Sequence, residues 1–184
     1  MAEKQMTNPD QRFSLPDAKA HVVFWSLFVC GLVLDLWTKH AIFAWLERRG
    51  SYSVIDGLLR LVLATNDGAA FNIFAGNALF LIAISAIALI VVLGIFLLGG
   101  AQPRIVHVAL GCFAAGIAGN LYDRAFNEGL VRDFINLYVR ISGTEYNWPA
   151  FNVADSLLVI GVGLLIISTA TAGKSDQTHA RQQK

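Results

Sequence analysis

Between residues 116 and 156 three aspartates, Asp123, Asp133 and Asp155, stand at the edges of long apolar runs. An ionised carboxylate in such a place is costly unless it is paired, hydrated or used, so these acids are functional candidates. Asn120 and Asp123 are three residues apart, as are Asn152 and Asp155, and on a helix that spacing puts each pair on one face. A plain ion-pair reading competes, because Arg124, Arg132 and Arg140 lie close by in sequence. If instead two carboxylates meet, they cannot both ionise cheaply and share a proton. One is then a general base that activates water, and the other an acid that protonates a carbonyl oxygen and helps an amine leave. That is the chemistry of peptide-bond hydrolysis without a covalent intermediate.

Other hydrolytic chemistries fit poorly. The four histidines, His21, His40, His107 and His179, are scattered, and none belongs to an H-E-x-x-H metal motif. There is no G-x-S-x-G elbow, and Ser156 has no nearby histidine or lysine to activate it. Cys30 and Cys112 each lie inside an apolar run, which suits packing rather than a disulfide framework or a metal site. Tyr122-Asp123 matches one motif of the presenilin type of intramembrane aspartic protease, but the partner motif G-x-G-D is missing. A net charge of +1, with no basic stripe interleaved with aromatics, gives no support for a nucleic-acid partner.

The elements that must position these acids are membrane spans. With 184 residues, 55% of them hydrophobic and 15% charged, the chain is too apolar for an ordinary soluble domain. Residues 1–20 form a polar tail without the plan of a cleavable signal peptide, so the first span is expected to be retained. Residues 21–44 are apolar enough to cross, given the roughly 20 residues a bilayer core demands. Asp35 and Lys39 interrupt that run four apart, acid before base, the spacing of a structural ion pair on one helix face. Residues 47–75 change character: β-prone runs joined by Asp56-Gly57, which favours a type I′ hairpin, are followed by Asp67-Gly68. They predict a small strand-rich subdomain outside the hydrocarbon layer, where a sheet edge survives and can add a strand of a bound peptide.

Residues 77–98 contain no ionisable group and form the second span, and Gly99, Gly100 and Pro103 turn the chain back. The third span, 105–122, carries Gly111, Ala115 and Gly119 at every fourth position, a stripe that lets another helix come close. Residues 124–150 are a second polar interval, with breakers at Gly129, Gly143, Asn147 and Pro149. The fourth span, about 151–171, places Asn152 and Asp155 in its first turns, where the positive end of the helix dipole favours a carboxylate. Residues 173–184 are a polar tail. The expected fold is an all-α membrane protein of four transmembrane helices, 21–172, with a small β-rich subdomain between spans one and two.

Four spans put both termini on one side and both polar intervals on the other. Charge counting does not say which side is cytoplasmic. Of the 14 basic residues, Lys4, Arg12, Lys19, Arg104, Lys174, Arg181 and Lys184 fall on the side of the termini, and as many on the other. Topology does place Asp133, Asp155, Asp35 and the strand-rich interval on one side. That clustering argues against the main alternative, a small ion- or proton-coupled transporter or channel subunit. Such a protein would carry acids across the membrane's depth or show an inverted repeat. A scaffold without chemistry leaves the paired Asn and Asp motifs unexplained.

Five motifs in order, LDLWTK (34–39), TNDGAAF (65–71), GNLYDR (119–124), VRDF (131–134) and FNVADS (151–156), resemble those of lipoprotein signal peptidases, also called signal peptidase II. The likeness covers about residues 21–172. It implies an aspartic endopeptidase of the bacterial cytoplasmic (inner) membrane, with both termini in the cytoplasm and the active site and β-rich part at the extracytoplasmic face. Such an enzyme cuts the signal peptide from a prolipoprotein just before a cysteine already carrying diacylglycerol. By motif match Asp133 and Asp155 are the implied catalytic dyad, with Asn66, Asn120, Arg124 and Asn152 around it to hold substrate. Asp35, Lys39 and Asp123 match supporting positions. The resemblance implies no cofactor or metal, inhibition by globomycin, contact with membrane lipid and a monomer. Two departures stand out: the interval from Asp123 to Asp133 is a residue longer than the family pattern, and the polar N-terminal extension is unusually long.

Overall fold

A helix that packs against three others must be lined with small residues, and one of the four long helices is. The computed structural model describes residues 15–69 and 73–182, with side chains described through residue 171. Its helices are α1 (Ala18–Leu46), α2 (Ala78–Leu98), α3 (Arg104–Phe126) and α4 (Val153–Gln182). All four are long and apolar enough to cross a membrane. They match the four expected spans, although α1 begins earlier, capped by the Asp17 carboxylate on the Ala20 N–H at 2.7 Å. The helix α4 continues through the polar tail to Gln182. Ala70 and Phe71 of the TNDGAAF motif, and residues 1–14 of the tail, lie outside the described residues.

The central helix is α3, which packs on α1, α2 and α4. The stripe read from the sequence faces α1. A Cβ on Gly111 would come within 3.0 Å of Leu27 Cβ, and Ala115 lies where a Cβ on Gly31 would come within 2.8 Å. A Cβ on Gly119 would strike the Asp35 carboxylate and sit 3.2 Å from Ala154 Cβ. Gly116, one position on from Ala115, lets α4 approach, its missing side chain occupied by Ala154 O and Leu158. At the end distant from the acids, Phe24 stacks on Phe96 with ring centres 3.9 Å apart, joined by Ala20, Leu110 and Ala114 in an apolar core.

The sheet is larger than the sequence reading allowed. It has four antiparallel strands in the order β1 (Ser51–Ile55), β2 (Leu59–Asn66), β3 (Val131–Ile141) and β4 (Thr144–Asn147). Two of them come from the second polar interval, so the β-rich part is not confined between the first two spans but is shared by both intervals. The expected type I′ turn is not at Asp56-Gly57, where only Gly57 has positive φ, +79°. It is at Ser142-Gly143, where both residues do, at 51° and 82°, as that turn requires. Between β2 and β3 the register shifts, Leu61 facing Ile135 but Ala64 facing Asp133. The extra β2 residue is a bulge beside Asp133, the kind of device that re-aims a side chain.

The crowding at Gly119 has a measurable consequence. Gly119→Ala is expected to destabilise the protein by about 1–3 kcal/mol, the usual cost of overfilling a packed contact. Gly94→Ala, whose Cβ would meet nothing within 4 Å, is expected to be neutral or slightly stabilising. Thermal unfolding in detergent separates them, and equal responses would mean that α3 does not approach α1 and α4 as described.

Candidate active site

The N-terminus of α4 is built by its own sequence. In Asn152-Val153-Ala154-Asp155 the Asn152 Oδ1 accepts from the Asp155 N–H at 2.9 Å, and Asp155 Oδ2 accepts from the Asn152 N–H at 3.1 Å. This reciprocal pair is a capping box, and it fixes the Asp155 carboxylate in the first turn, at the positive end of the helix. Immediately before it, Phe151 makes an antiparallel bridge to Ile135, with both N–H···O distances 2.9 Å. That bridge stitches the start of α4 to β3, two residues from Asp133.

Asparagine amides join the acids. Asn152 Nδ2 donates to Asp133 Oδ1 at 2.7 Å and to Asn120 Oδ1 at 3.1 Å, and Asn120 Nδ2 donates to Asp155 Oδ1 at 2.7 Å. Asn152 is wholly buried, and Asp133 is 3% exposed. Among the described residues neither Asp133 nor Asp155 has an ion-pair partner, so the plain ion-pair reading fails for both. Burial pushes the Asp133 carboxyl up to about 7, and the charge of Asp155 pushes the same way. The Asn152 and Asn66 amides and the more distant Lys39 oppose the rise without cancelling it. Asp133 therefore keeps its proton below about pH 7 and loses it above.

A charged layer lies beneath. Lys39, fully buried, has its Nζ 2.7 Å from Asp35 Oδ2 and 3.5 Å from Asp123 Oδ2, and donates to Asn120 Oδ1 at 3.0 Å. The i,i+4 pair inferred from sequence exists, but deep in the structure and with further partners. Asp35 Oδ1 also accepts from the Ala154 N–H at 2.8 Å, so α1 satisfies a free amide at the start of α4. Asp123 pairs with Arg132, not with the adjacent Arg124: Arg132 Nη2 lies 2.6 Å from Asp123 Oδ1, and its backbone N–H donates to Oδ2 at 2.9 Å. Arg124 Nη2 instead donates to Gly68 O at 2.6 Å, while Asn66 Oδ1 accepts from the Gly68 N–H at 2.9 Å.

All of this borders a cavity of about 1240 Å³. Asn66, Asn120, Arg124, Asp133 and Asp155 line its polar end, and Ile84 and Ala88 of α2 and Leu158, Val159 and Ile160 of α4 line its apolar end. Of the nine site residues expected from sequence, five thus face the cavity. Asn152, Asp35, Lys39 and Asp123 stand behind them. Sequence reasoning missed the Asn152–Asp155 capping box, although N-x-x-D before an apolar run is a legible start signal. It also missed the Ala154–Asp35 bond, which no local pattern announces.

The chain is similar over most of its length to known proteins. Residues 27–171 match the family model described as signal peptidase (SPase) II. A lipoprotein signal peptidase of Rhodopirellula baltica is 37% identical over 83% of this chain and 73% of its own. One from Halalkalibacterium halodurans is 32% identical over 89% of this chain and 99% of its own.

The chain belongs to the signal peptidase II family.

It is accordingly a multi-pass bacterial membrane protein and an aspartic endopeptidase of the signal peptidase II type. A solved bacterial membrane enzyme superposes with a TM-score of 0.71 at 31% identity, covering 90% of this chain and 95% of that one. That likeness supports a membrane protein of four apolar helices with a small antiparallel sheet.

The charged layer of the peptidase generates a double-mutant test. Lys39→Met alone leaves the buried Asp35 carboxylate without its cation, and Asp35→Asn alone leaves Lys39 only the longer pair with Asp123, which Arg132 shares; each is expected to cost about 3–5 kcal/mol. Asp35→Asn with Lys39→Met removes both charges while Asp123 keeps Arg132, and is expected to cost less than the sum of the singles. Denaturation of the four proteins in the cycle reads the coupling, and strict additivity would break the pairing.

Proposed function

We propose that the peptidase removes the signal peptide from diacylglyceryl-modified prolipoproteins, cutting just before the lipidated cysteine, with Asp133 and Asp155 as its catalytic dyad. The observation that carries this is two carboxylates that, among the described residues, form no direct ion pair, bridged by the Asn120 and Asn152 amides, at the polar end of a cavity that is otherwise apolar. Below about pH 7 Asp133 holds the shared proton. Asp155, as the base, takes a proton from water as the water oxygen attacks the scissile carbonyl carbon, and Asp133 gives its proton to the carbonyl oxygen. When the tetrahedral gem-diol collapses, the C–N bond breaks, the amine nitrogen takes up the proton that Asp155 accepted, and a hydroxyl proton of the diol returns to Asp133 as the new carbonyl forms. Both aspartates are restored.

Substrate geometry follows from the walls. The polar rim of Asn66 and Arg124 suits the peptide backbone around the scissile bond. The apolar end between α2 and α4 suits acyl chains and the hydrophobic signal peptide arriving from lipid. Two acyl chains anchor stably where one is marginal, and fixing the cysteine at one depth turns a search into a positioned encounter. In this reading the termini are cytoplasmic, the sheet and dyad lie at the extracytoplasmic face, and a single chain supplies every wall of the site, as a monomer would.

The first test is direct cleavage of a lipidated precursor by the purified protein. Asp133→Asn and Asp155→Asn are each expected to lower turnover at least about a thousandfold while remaining folded and inserted, since an amide can neither accept nor give the proton. Wild-type turnover is expected to fall about tenfold per pH unit above about 7, where Asp133 loses its proton. Substantial turnover by either variant would remove that aspartate from the dyad. A profile flat to pH 9 would deny Asp133 the role of acid.

The second test concerns lipid. An unlipidated precursor, otherwise identical and in the same bilayer, is expected to be cut on the order of a hundredfold more slowly. Equal rates would show that the lipid is not read and would favour a general intramembrane aspartic protease.

A further inference from the structure

The amide of Asn120 has two faces, and the surrounding groups allow it only one orientation. An ammonium donates and never accepts. Lys39 Nζ lies 3.0 Å from Asn120 Oδ1, and Asn152 Nδ2 donates to the same oxygen at 3.1 Å. The remaining face, Nδ2, is turned to Asp155 Oδ1 at 2.7 Å. Reversing the amide would set N–H groups against the donors of Lys39 and Asn152 and an oxygen against a carboxylate. Each buried group so left unpaired costs about 1–3 kcal/mol.

We propose that Lys39 is a positioning residue of this peptidase: its ammonium orients and polarises the Asn120 amide, so that a strengthened N–H faces Asp155 and holds that carboxylate in place as the base of the dyad. The proposal rests on the Asp133–Asp155 reading and adds which acid takes which role. Asp155 accepts from Asn120 Nδ2 and from the Asn152 N–H, and it sits in the first turn of α4. Asp133, on β3, accepts from Asn152 Nδ2 and is more deeply buried. The charged groups packed around the dyad are Asp35 and Lys39 from α1, Asp123 and Arg124 from α3, and Arg132 from β3; α2 contributes none. Asp35 and Asp123 hold the Lys39 ammonium in place, and Arg132 holds Asp123. The charge of Lys39 thus reaches Asp155 through the Asn120 amide alone, whereas Asp133 is one amide further away, behind Asn152, whose Nδ2 donates to both Asn120 Oδ1 and Asp133 Oδ1. A polarised chain of this kind strengthens its last bond.

The test uses an Asp35→Asn background, which removes the unpaired carboxylate that a neutral residue 39 would otherwise leave. In that background Lys39→Gln keeps an N–H donor for Asn120 Oδ1, and Lys39→Met, of nearly the same size, does not. Both are assayed on a lipidated precursor from pH 5 to 9, beside Asp133→Asn and Asp155→Asn. The methionine variant is expected to lose about ten- to a hundredfold in kcat with KM unchanged, the loss of one hydrogen bond involving a charged group. Its alkaline limb is expected to move to higher pH, because Lys39 helps hold the Asp133 carboxyl down. The glutamine variant is expected to recover most of the kcat.

A third protein, Asn120→Asp in the native background, keeps an oxygen for Lys39 but presents oxygen instead of N–H to Asp155. It is expected to fall as far as the methionine variant at pH 7, whether or not that variant folds. Equal turnover by the glutamine and methionine variants, or wild-type turnover by Asn120→Asp, overturns the proposal. So does a loss of stability with an unchanged pH profile, which would leave Lys39 only structural. Activity in Asp133→Asn or Asp155→Asn fails the dyad itself, a result that the parallel assay tells apart from failure of Lys39 alone.

Discussion

One buried cation organises this membrane peptidase. Lys39 has no exposure to solvent, and taking an ammonium out of water costs on the order of several kcal/mol even after relaxation. The cost is offset only when partners are placed around it. Those partners come from distant parts of the chain: Asp35 one turn earlier on α1, and Asp123 and Asn120 on α3. Each has a second task. Asp35 satisfies an amide at the start of α4, Asp123 holds Arg132 of β3, and Asn120 reaches Asp155. Replacing such a network by apolar residues of similar volume is often neutral or stabilising in other proteins. Its value here lies in specifying one arrangement of α1, α3, α4 and β3, with the proposed dyad as the beneficiary.

Close approach makes that arrangement possible. Gly119 and Gly116 leave the room that the Asp35 carboxylate and the first turns of α4 occupy. With lipid on the outside there is little hydrophobic gain from bringing helices together, so van der Waals fit and polar contacts must do it. The small-residue stripe and the charged layer are therefore two halves of one solution. Helices too far apart would leave Lys39 to its i,i+4 partner alone, an exposed-type pair in an environment that cannot screen it.

Much of this was legible from sequence, and the limits have physical causes. The four spans follow from apolar length, and the Asp35–Lys39 pair and the Gly111, Ala115, Gly119 stripe follow from helical spacing, because each depends on residues within a few turns. What a neighbour in space supplies was not legible. Arg124, Arg132 and Arg140 all stood near Asp123 in sequence, and nothing local chose among them; adjacent residues on a helix do not face each other, and the partner was Arg132 of β3. The sheet was half-seen for a related reason. Residues 131–141 are rich in β-branched and aromatic side chains, and Ser142-Gly143 is a turn dipeptide. Yet Gly129, Asn147 and Pro149 marked the interval as loop until pairing with β2 gave it a ladder.

The two aspartates are chemically identical, and the fold makes them different. Asp155 belongs to a helix start, where unpaired N–H groups and the helix dipole favour negative charge, and it is only partly buried. Asp133 belongs to a strand, whose dipoles contribute little, and it is almost fully buried beside that negative charge. A dyad placed on two helix starts or on two strands would have near-equal members and no reason for the proton to prefer one. The bridge between Phe151 and Ile135 brings a helix start against a strand at this point, so the two carboxylates meet in unlike surroundings, the difference on which the proposed division into base and acid rests.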